Sequence, residues 1–462
     1  MQAESQKFVM KASQPGIIKD SAHSFSVAHP GQDCKMALDG KKTAFGFGTH
    51  LGEEDLDGFE EKPNLAERKA VLATEKALFE EIENSLLHDP DSLAKFEEPS
   101  HSDPALKEKL KRCIGVLSNR VKQLRYFKVK KNLAIKTLMS KINEPWKHSN
   151  FAPAISYLQT LVMKCDSCIS SILQTIDDTG YSIAKLNGTA HDYVCGTQID
   201  LNLNYQSNYV CLRQVDFSAT ENAQIEPEMT KQRTSEWHQI RQGAIITGST
   251  IFRGLGLSSL KEQKEYYDVL FRGKERETDN SSLLQHGIDN EINGVATLVG
   301  KIIPVFYPEL KYVEDGCIVI PLQEKGYIVV SGDGTGISTD GTGSKVAFEI
   351  KCPFPGKKYT PDVHYGVPVY YTTQLLSQMG AKKCDKFCFL SYTTESATVC
   401  VGRHDTNLWD DIQNLAIDLY GNHMRHTKPT RRSQESLDLL QNLHSYNEST
   451  EFIAEMPSLR GI

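Results

Sequence analysis

The stretch from Val329 to Pro353 constrains this chain more than any other. The apolar run Tyr327–Val330 leads into a segment rich in Gly, Ser, Thr and Asp, and a second β-rich run covers Lys345–Lys351. Two β-rich runs joined by a turn-forming connection predict a β-hairpin. Side chains alternate between the two faces of a strand, so Glu349 and Lys351 should lie side by side on one face.

Asp333 stands at the end of the first run and completes a set of ionisable groups with Glu349 and Lys351. Two carboxylates and a backbone carbonyl are hard oxygen ligands for a divalent ion, and the lysine could meet an attacking water or a phosphate oxygen. The alternative is an exposed hairpin that carries a surface ion pair.

The composition describes an ordinary globular chain: 462 residues, 24% charged, 39% hydrophobic and a net charge of −7. This length predicts two or three domains, and the charge argues against a uniformly basic coat for nucleic acid while allowing local basic patches. We find no run of eighteen apolar residues and no signal peptide, so we expect an intracellular protein of the nucleus or cytoplasm that is neither secreted nor membrane-bound. The cysteines lie mostly in apolar contexts and predict reduced thiols; Cys165-x-x-Cys168 is interpreted as helix-buried thiols because the other half of a zinc site is missing.

Four segments follow from hydrophobic periodicity and polarity. We predict a flexible arm at 1–62, a mainly helical domain at 63–230, an α/β domain at 231–422 and a polar, mobile C-terminal tail at 423–462. The helical domain should contain helices at 65–87, 105–142 and 152–176, and a strand-like run follows at 209–212. The helix at 105–142 is dense in Lys and Arg, which indicates either a surface that faces nucleic acid or a solvated charged face.

The α/β segment carries further candidate residues in the order α-α-β-β-α-β with a last helix, which predicts a sandwich around a mixed sheet. Arg241 follows Trp237 by one helical turn, and Thr247-Gly248-Ser249 can open a helix with free N–H groups for an anion. A later helix carries Glu291. The last candidates are a polar loop with Lys357 and Lys358, and a helix with Tyr371, Gln374 and Gln378 on one face.

Five motifs occur together in this order. They are Trp237-x3-Arg241 with Thr247-Gly248-Ser249, Gly287-x3-Glu291, Ser331-x-Asp333-Gly334, Glu349-Ile-Lys-Cys-Pro353 and Tyr371-x2-Gln374. Over residues 235–405 the chain resembles the YqaJ/lambda-type exonuclease family of the PD-(D/E)xK nuclease superfamily, with herpesvirus-type alkaline nucleases as more distant relatives. The resemblance implies a restriction-endonuclease-like core, with a mixed central sheet flanked by helices; an N-terminal all-α domain would precede it.

The resemblance also implies roles for single residues. Asp333, Glu349 and the carbonyl of Ile350 would hold Mg²⁺ or Mn²⁺, and Glu291 would reach a second metal site. Lys351 would orient or deprotonate the attacking water, or stabilise developing charge. The implied 5′-phosphate pocket contains Arg241, Ser249, Ser331 and Gln374, with Lys357 or Lys358 as a further contact. Gly332 stands where the family usually has proline, and Asp340 in the Gly-rich connection is an alternative ligand.

The function that these residues imply is a metal-dependent deoxyribonuclease, a 5′-to-3′ exonuclease on linear duplex DNA that serves DNA recombination or repair. An endonuclease, or a nuclease of the same fold that cuts DNA and RNA, is the first alternative. A catalytically inactive scaffold that binds nucleic acid or a partner protein is the alternative of another class. The expected partners are duplex DNA ends, with a homo-oligomer or a recombination partner protein as further expectations.

Overall fold

The computed structural model describes residues 69–78, 80, 103–143, 148–198, 227–273, 281–322, 326–339, 341–355, 363–421 and 428–461. The predicted arm, the strand-like run at 209–212, Asp340, Lys357 and Lys358 lie outside these residues. No helix in the described part of the chain is both long and apolar enough to cross a membrane.

Two long helices, α1 (Pro104–Ile142) and α2 (His148–Asn187), pack against each other. Asp103 caps α1 by accepting a hydrogen bond from the backbone N–H of Ala105, and proline occupies the first turn, where its missing N–H has no helical partner. Both helices confirm the prediction, although α2 extends beyond 176. The described part of the predicted helix at 65–87 is also helical.

Shorter helices follow and place the motif residues. They are α3 (Ser235–Gln242), α4 (Ile251–Gly254), α5 (Leu260–Arg272), α6 (Ser281–Thr297) and α7 (Ile303–Phe306), with a π-helical turn at Leu298–Ile302 between the last two. Further along the chain come α8 (Val369–Lys382), α9 (Thr406–Tyr420) and α10 (Gln434–Glu448).

The strands form two sheets. They are β1 (Ile246–Thr247), β2 (Leu310–Glu314), β3 (Ile318–Pro321), β4 (Tyr327–Val330), β5 (Gly334–Ser338), β6 (Lys345–Lys351), β7 (Lys386–Tyr392), β8 (Ser396–Arg403) and β9 (Glu451–Pro457). The larger sheet has the order β2-β5-β6-β7-β8-β9, and the smaller one has the order β1-β4-β3. Within the larger sheet β6 and β7 are parallel and the other neighbours are antiparallel. This mixed sheet flanked by helices confirms the predicted α/β class.

The predicted hairpin has a different first strand. β4 pairs with β1 and β3 in the small sheet, and it is β5, inside the Gly-rich connection, that pairs with β6. The glycines of β5 make room for neighbouring side chains, since a Cβ on Gly334 would lie 2.3 Å from the ring of Tyr312, and one on Gly336 would lie 2.8 Å from the ring of Phe348. The connection therefore contains a strand that its composition conceals.

The predicted mobile tail is wrong for residues 428–461. α10 and β9 occupy most of this segment, and β9 forms the last strand of the six-stranded sheet beside β8. Phe452, Ala454 and Met456 alternate along β9 and are buried. A short strand of this kind is hard to find by periodicity in a polar context.

The predicted boundary at 230/231 does not separate two cores. Leu117, Val121 and Leu124 of α1 and Ile169 and Ile176 of α2 share one buried core with the six-stranded sheet. Residues 63–462 form one compact unit. The helices that the sequence assigned to a separate domain therefore pack against β9, the last strand of the sheet, and α2 also packs against α7.

Candidate functional site

The carboxyl end of β6 carries a buried acid of the candidate site, Glu349. Glu349 is 1% exposed, and its carboxylate accepts hydrogen bonds of 2.5 Å from the side-chain amides of Gln374 and Gln378. Both glutamines lie on α8, four residues apart, so consecutive turns of one helix face reach the two oxygens. Lys351 also pairs with this carboxylate. A buried carboxylate with this many donors is held in one orientation.

Asp333 precedes β5 and reaches the same end of the sheet. One of its oxygens accepts a hydrogen bond of 2.6 Å from the backbone N–H of Ile350, which lies between Glu349 and Lys351. Its backbone carbonyl accepts a hydrogen bond of 2.7 Å from the hydroxyl of Tyr312. Burial and the nearby carboxylate of Glu349 raise the pKa of Asp333 well above its usual value. The pairing of β5 with β6 thus brings the two predicted acids together.

Glu291 on α6 belongs to the same electrostatic group. Its carboxylate accepts a hydrogen bond of 2.7 Å from the guanidinium of Arg233. Burial raises the pKa of Glu291, and the charge of Glu349 raises it further, while Arg233 acts in the opposite direction. Sequence reasoning did not find Arg233, which lies in the loop before α3.

Lys351 is protonated in this environment. Burial lowers the pKa of its ammonium group, but the carboxylates of Glu349 and Asp333 outweigh burial and raise the pKa above its usual value. The ammonium nitrogen lies 5.1 Å from the centre of the Tyr371 ring, within the range of a cation–π contact. Of the roles that the resemblance implied for Lys351, the protonated state favours orientation and charge stabilisation over deprotonation of water.

The donor chemistry of the site fits a divalent cation. Asp333, Glu349 and Glu291 offer carboxylate oxygens and Ile350 a backbone carbonyl, the hard donors that Mg²⁺ and Mn²⁺ take. Burial and neighbouring carboxylates raise the pKa values of Asp333 and Glu291, so a cation bound nearby would stabilise their deprotonated forms. Within the described residues no three acidic, His or Cys side chains are already gathered around one point, because Glu349 is turned towards the two amides and Lys351.

A second group of polar residues lies beside the acids. The guanidinium of Arg241 stacks 4.4 Å from the centre of the Trp237 ring and donates a hydrogen bond of 3.4 Å to the hydroxyl of Ser249. The indole N–H of Trp237 donates to the hydroxyl of Ser331 over 3.2 Å. The structure therefore brings Arg241, Ser249 and Ser331 together around Trp237, and their role as a phosphate pocket stays a prediction.

Capping hydrogen bonds hold the short turn that contains Ser249. Thr247 and Thr250 form a reciprocal capping box around the 3₁₀ turn Gly248–Thr250. A Cβ on Gly248 would lie 3.8 Å from the side chain of Gln374, so this turn packs directly against α8. Gln374 of α8 therefore lies between this turn, which carries Ser249, and the carboxylate of Glu349.

Gln374 makes a contact that its predicted role in the phosphate pocket does not include. Its side-chain amide donates a hydrogen bond to the carboxylate of Glu349. Gln378 was noted as a neighbour on the same face but was not assigned a role, and its contact with Glu349 follows from the same four-residue spacing.

The predicted thiol state agrees with the structure. Cys165 is buried and Cys168 half-buried in α2, and both are free. Burial raises the pKa of Cys165 to about 11, which leaves the thiol protonated at neutral pH.

Comparison with known proteins adds a family. Residues 236–385 match the family model of the YqaJ-like viral recombinase domain. Among solved structures, the alkaline exonuclease LHK-Exo from Laribacter hongkongensis is similar at 18% identity and a TM-score of 0.28, over 46% of this chain and 95% of that chain. LHK-Exo in complex with dAMP is similar at 19% identity and a TM-score of 0.29, with the same coverage. No curated protein matches the chain. The matched residues include both the acids and the Arg241 pocket.

Proposed function

We propose that the chain, whose residues 236–385 match the YqaJ-like viral recombinase domain, is a metal-dependent DNA nuclease. The observation that carries the proposal is the convergence of Asp333, Glu349 and Lys351 at the carboxyl end of β6. The loops at such strand ends are where enzymes of α/β architecture commonly place reactive groups.

The cation in this proposal is Mg²⁺, with Mn²⁺ as a substitute. Asp333, Glu349 and the carbonyl of Ile350 would hold it, and Glu291 would reach a second ion. When bound, such ions activate a water molecule and neutralise charge on the phosphate.

The side chains of the protein supply the remaining functions. Lys351 is protonated and would donate to a non-bridging phosphate oxygen, where negative charge grows during in-line attack. Gln374 and Gln378 each donate a hydrogen bond to one oxygen of the Glu349 carboxylate and fix its position at the end of β6. The indole of Trp237 supports the guanidinium of Arg241 from one side and leaves its planar fork of donors for a phosphate.

We further infer a 5′-to-3′ exonuclease on linear duplex DNA. Arg241 with the hydroxyls of Ser249 and Ser331 suits a doubly charged terminal phosphate, which has more charge and more free oxygens than an internal phosphodiester. A pocket of this kind placed beside the acids would put the first scissile bond of a 5′ end at the metal site.

Product analysis on end-labelled duplexes tests both levels of the proposal. With Mg²⁺ the wild type should release nucleotides from linear duplex, prefer a 5′-phosphorylated end and leave closed circles intact, while Glu349→Gln should bind DNA without cleaving it. Arg241→Ala should slow digestion of the 5′-phosphorylated duplex about ten- to a hundredfold, the usual effect of losing a charge-assisted hydrogen bond of about 1.5–3 kcal/mol, and should barely affect the 5′-hydroxyl duplex.

Each possible failure has its own meaning. Cleavage of circular duplex as fast as linear duplex, or equal losses by Arg241→Ala on both ends, would replace the exonuclease with the endonuclease alternative. Full cleavage in EDTA, or by Glu349→Gln, would exclude the metal-dependent mechanism altogether.

A further inference from the structure

Helix α1 has a charge unlike the rest of the chain. It contains twelve Lys or Arg residues and a single acid, Glu108, in 39 residues. The neighbouring helix α2, of 40 residues, has two lysines and three aspartates. The whole chain carries a net charge of −7, whereas α1 alone carries +11 (twelve basic residues less one acid), opposite in sign to the rest of the chain.

Part of this charge is used inside the protein. Lys128 pairs with Glu455 at 2.6 Å and with Glu395 at 3.0 Å, and Lys131 pairs with Asp166 of α2 at 2.5 Å. These contacts fix one side of α1 to β9, to the turn after β7 and to α2. They account for Lys128 and Lys131, two of the twelve basic residues of α1.

Lys111, Lys122 and Lys136 are exposed, and we call them the α1 lysine stripe. They lie 11 and 14 residues apart, about three and four helical turns, so they share one side of the helix. Arg125 lies on this side too and is half-buried, so the stripe flanks the point at which α1 docks on the sheet. At 1.5 Å per residue the stripe is about 37 Å long. That length corresponds to about eleven base pairs of duplex at 3.4 Å each. No acidic residue occurs in α1 after Glu108 to weaken its field.

The same helix docks at the catalytic edge of the sheet. Arg125, one turn after Lys122, stacks 4.3 Å from the centre of the Tyr365 ring. The adjacent His364 ring lies 6.3 Å from that of Tyr371, which contacts Lys351. Glu395, a partner of Lys128, lies in the turn that follows β7, whose carboxyl end runs parallel to that of β6.

We propose that duplex DNA leading into the active site lies along the α1 lysine stripe, with its phosphate backbone against Lys111, Lys122 and Lys136. Duplex DNA is the partner that charge, length and position favour, because it is a rod with one charge about every 1.7 Å. The inference rests on the proposed nuclease function and adds a sequence-independent contact surface outside the nuclease motifs. Its effect is to hold the duplex while the end is consumed.

Binding measurements without cleavage test this contact. The stripe variant Lys111→Gln/Lys122→Gln/Lys136→Gln is compared with a control variant, Lys164→Gln/Lys185→Gln/Lys261→Gln, which removes the same charge from exposed positions outside α1. Fluorescence anisotropy of a labelled 40-base-pair duplex in EDTA gives the dissociation constant between 50 and 200 mM salt. Because all six lysines are exposed, circular dichroism and melting temperature should match the wild type.

We expect the stripe variant to bind the duplex about ten- to a hundredfold more weakly near 100 mM salt, and the control less than threefold more weakly. The slope of log K against log salt should fall by roughly two to three, since each released phosphate contact contributes about 0.9. Equal affinities for the stripe and control variants would overturn the proposal and leave α1 to a different, acidic partner.

This test is independent of catalysis. If the wild type cleaves no DNA yet the stripe variant loses binding, the nuclease proposal fails and the contact surface stands. If the wild type cleaves DNA and the stripe variant binds as the control does, the nuclease proposal stands and the contact surface fails.

Discussion

The guanidinium of Arg233 donates a hydrogen bond of 2.7 Å to the carboxylate of Glu291, the acid that contributes to the site from α6. Arg233 adopts a left-handed backbone conformation with φ of 65°, which is uncommon for a residue with a side chain. Both residues are partly exposed, so the pair can exchange with solvent ions. Arg233 thus places a positive charge beside the carboxylate that would bind the proposed second metal ion.

The first prediction concerns Arg233→Met, which removes the charge and keeps an apolar side chain. Without the guanidinium the acids carry less compensating charge, so Mg²⁺ should bind about two- to fivefold more tightly at pH 8, the scale of a partly exposed ion pair. The pKa of Glu291 should rise further, because Arg233 opposes its increase. Metal titration by calorimetry measures the first effect, and the acid limb of the pH–rate profile, moved to higher pH, measures the second.

Arg272→Met is the matched control, since Arg272 pairs with Asp268 on α5 in a different part of the protein. It should leave the Mg²⁺ affinity unchanged. Weaker Mg²⁺ binding by Arg233→Met would mean that the arginine supports Glu291 as a ligand instead of competing with the ion.

The second prediction concerns the stability cost of the acids. The folded pKa of Asp333 is raised, so the folded state holds this proton more tightly than the unfolded state. Its contribution to stability is then greatest below the unfolded value of about 4 and is lost as the pH rises through the folded value. Asp333→Asn removes this pH-dependent loss of stability, because asparagine does not ionise. The side-chain oxygen of the asparagine can still accept the hydrogen bond from the N–H of Ile350.

We therefore expect Asp333→Asn to melt at a higher temperature than the wild type at pH 8, by on the order of 2 °C for each kcal/mol gained, and at nearly the same temperature at pH 4. Calorimetric scans at the two pH values without metal make the comparison. The exposed Asp410→Asn should show no such pH-dependent gain. A gain of equal size at both pH values would trace the effect to packing and not to charge.

Much of the site could be predicted because its residues lie on regular elements with known periods. Alternation along β6 placed Glu349 and Lys351 on one face, and helical spacing placed Arg241 on Trp237 and Gln378 beside Gln374. The contact of Arg233 with Glu291 joins residues 58 positions apart through a loop, and neither period carries information about it.

The fold was predictable to a similar extent and for the same reason. The apolar residues of α1 recur at helical spacing and β7 is a nearly continuous apolar run, whereas β5 is made of glycines, serine, threonine and isoleucine that resemble a turn. Only the shapes of Tyr312 and Phe348, which come close to its glycines, explain why a strand forms there. The membership of α1 in the sheet's core depends on side chains far apart in sequence, which a local pattern cannot detect.

The third prediction separates two roles for Gln374. If its amide serves Glu349, as the 2.5 Å contact indicates, then Gln374→Met should slow cleavage of 5′-phosphorylated and 5′-hydroxyl duplexes equally. If it serves the terminal phosphate, only the phosphorylated duplex should suffer. Gln378→Met is the internal reference, because its amide donates to the other oxygen of Glu349 and lowers cleavage of both substrates under either hypothesis.

Losing one hydrogen bond to a buried carboxylate costs about 1.5–3 kcal/mol, or roughly ten- to a hundredfold in rate if the bond holds the transition state. Single-turnover rates on the two duplexes provide the measurement. A normal rate for Gln378→Met would show that the position of Glu349 does not depend on α8.

The last prediction concerns the ion pair between Lys301 and Asp177, which joins the π-helical turn to α2. Both side chains are almost fully buried, and Asp177 also accepts hydrogen bonds from the Tyr193 hydroxyl at 2.8 Å and the Gly196 N–H at 2.6 Å. Removing one partner of a buried pair leaves an uncompensated charge. Lys301→Met should therefore destabilise the protein by about 3–5 kcal/mol, and Lys301→Met/Asp177→Asn by less, because the second change removes the orphaned charge.

Urea unfolding followed by circular dichroism and by tryptophan fluorescence measures these effects and also tests the shared core. The third tryptophan, Trp146, lies between α1 and α2 in the sequence and is replaced by phenylalanine in every variant. Trp237 and Trp409 then report on the residues after 230, while circular dichroism also reports on α1 and α2. Because α2 and the sheet share one core, both signals should change together in wild type and shift together in Lys301→Met. A fragment beginning at 231 should be insoluble or unfolded, since it exposes the core residues that α1 and α2 cover. Two separate transitions, or a soluble folded fragment, would restore the boundary at 230/231 and make the ion pair a contact between independent domains.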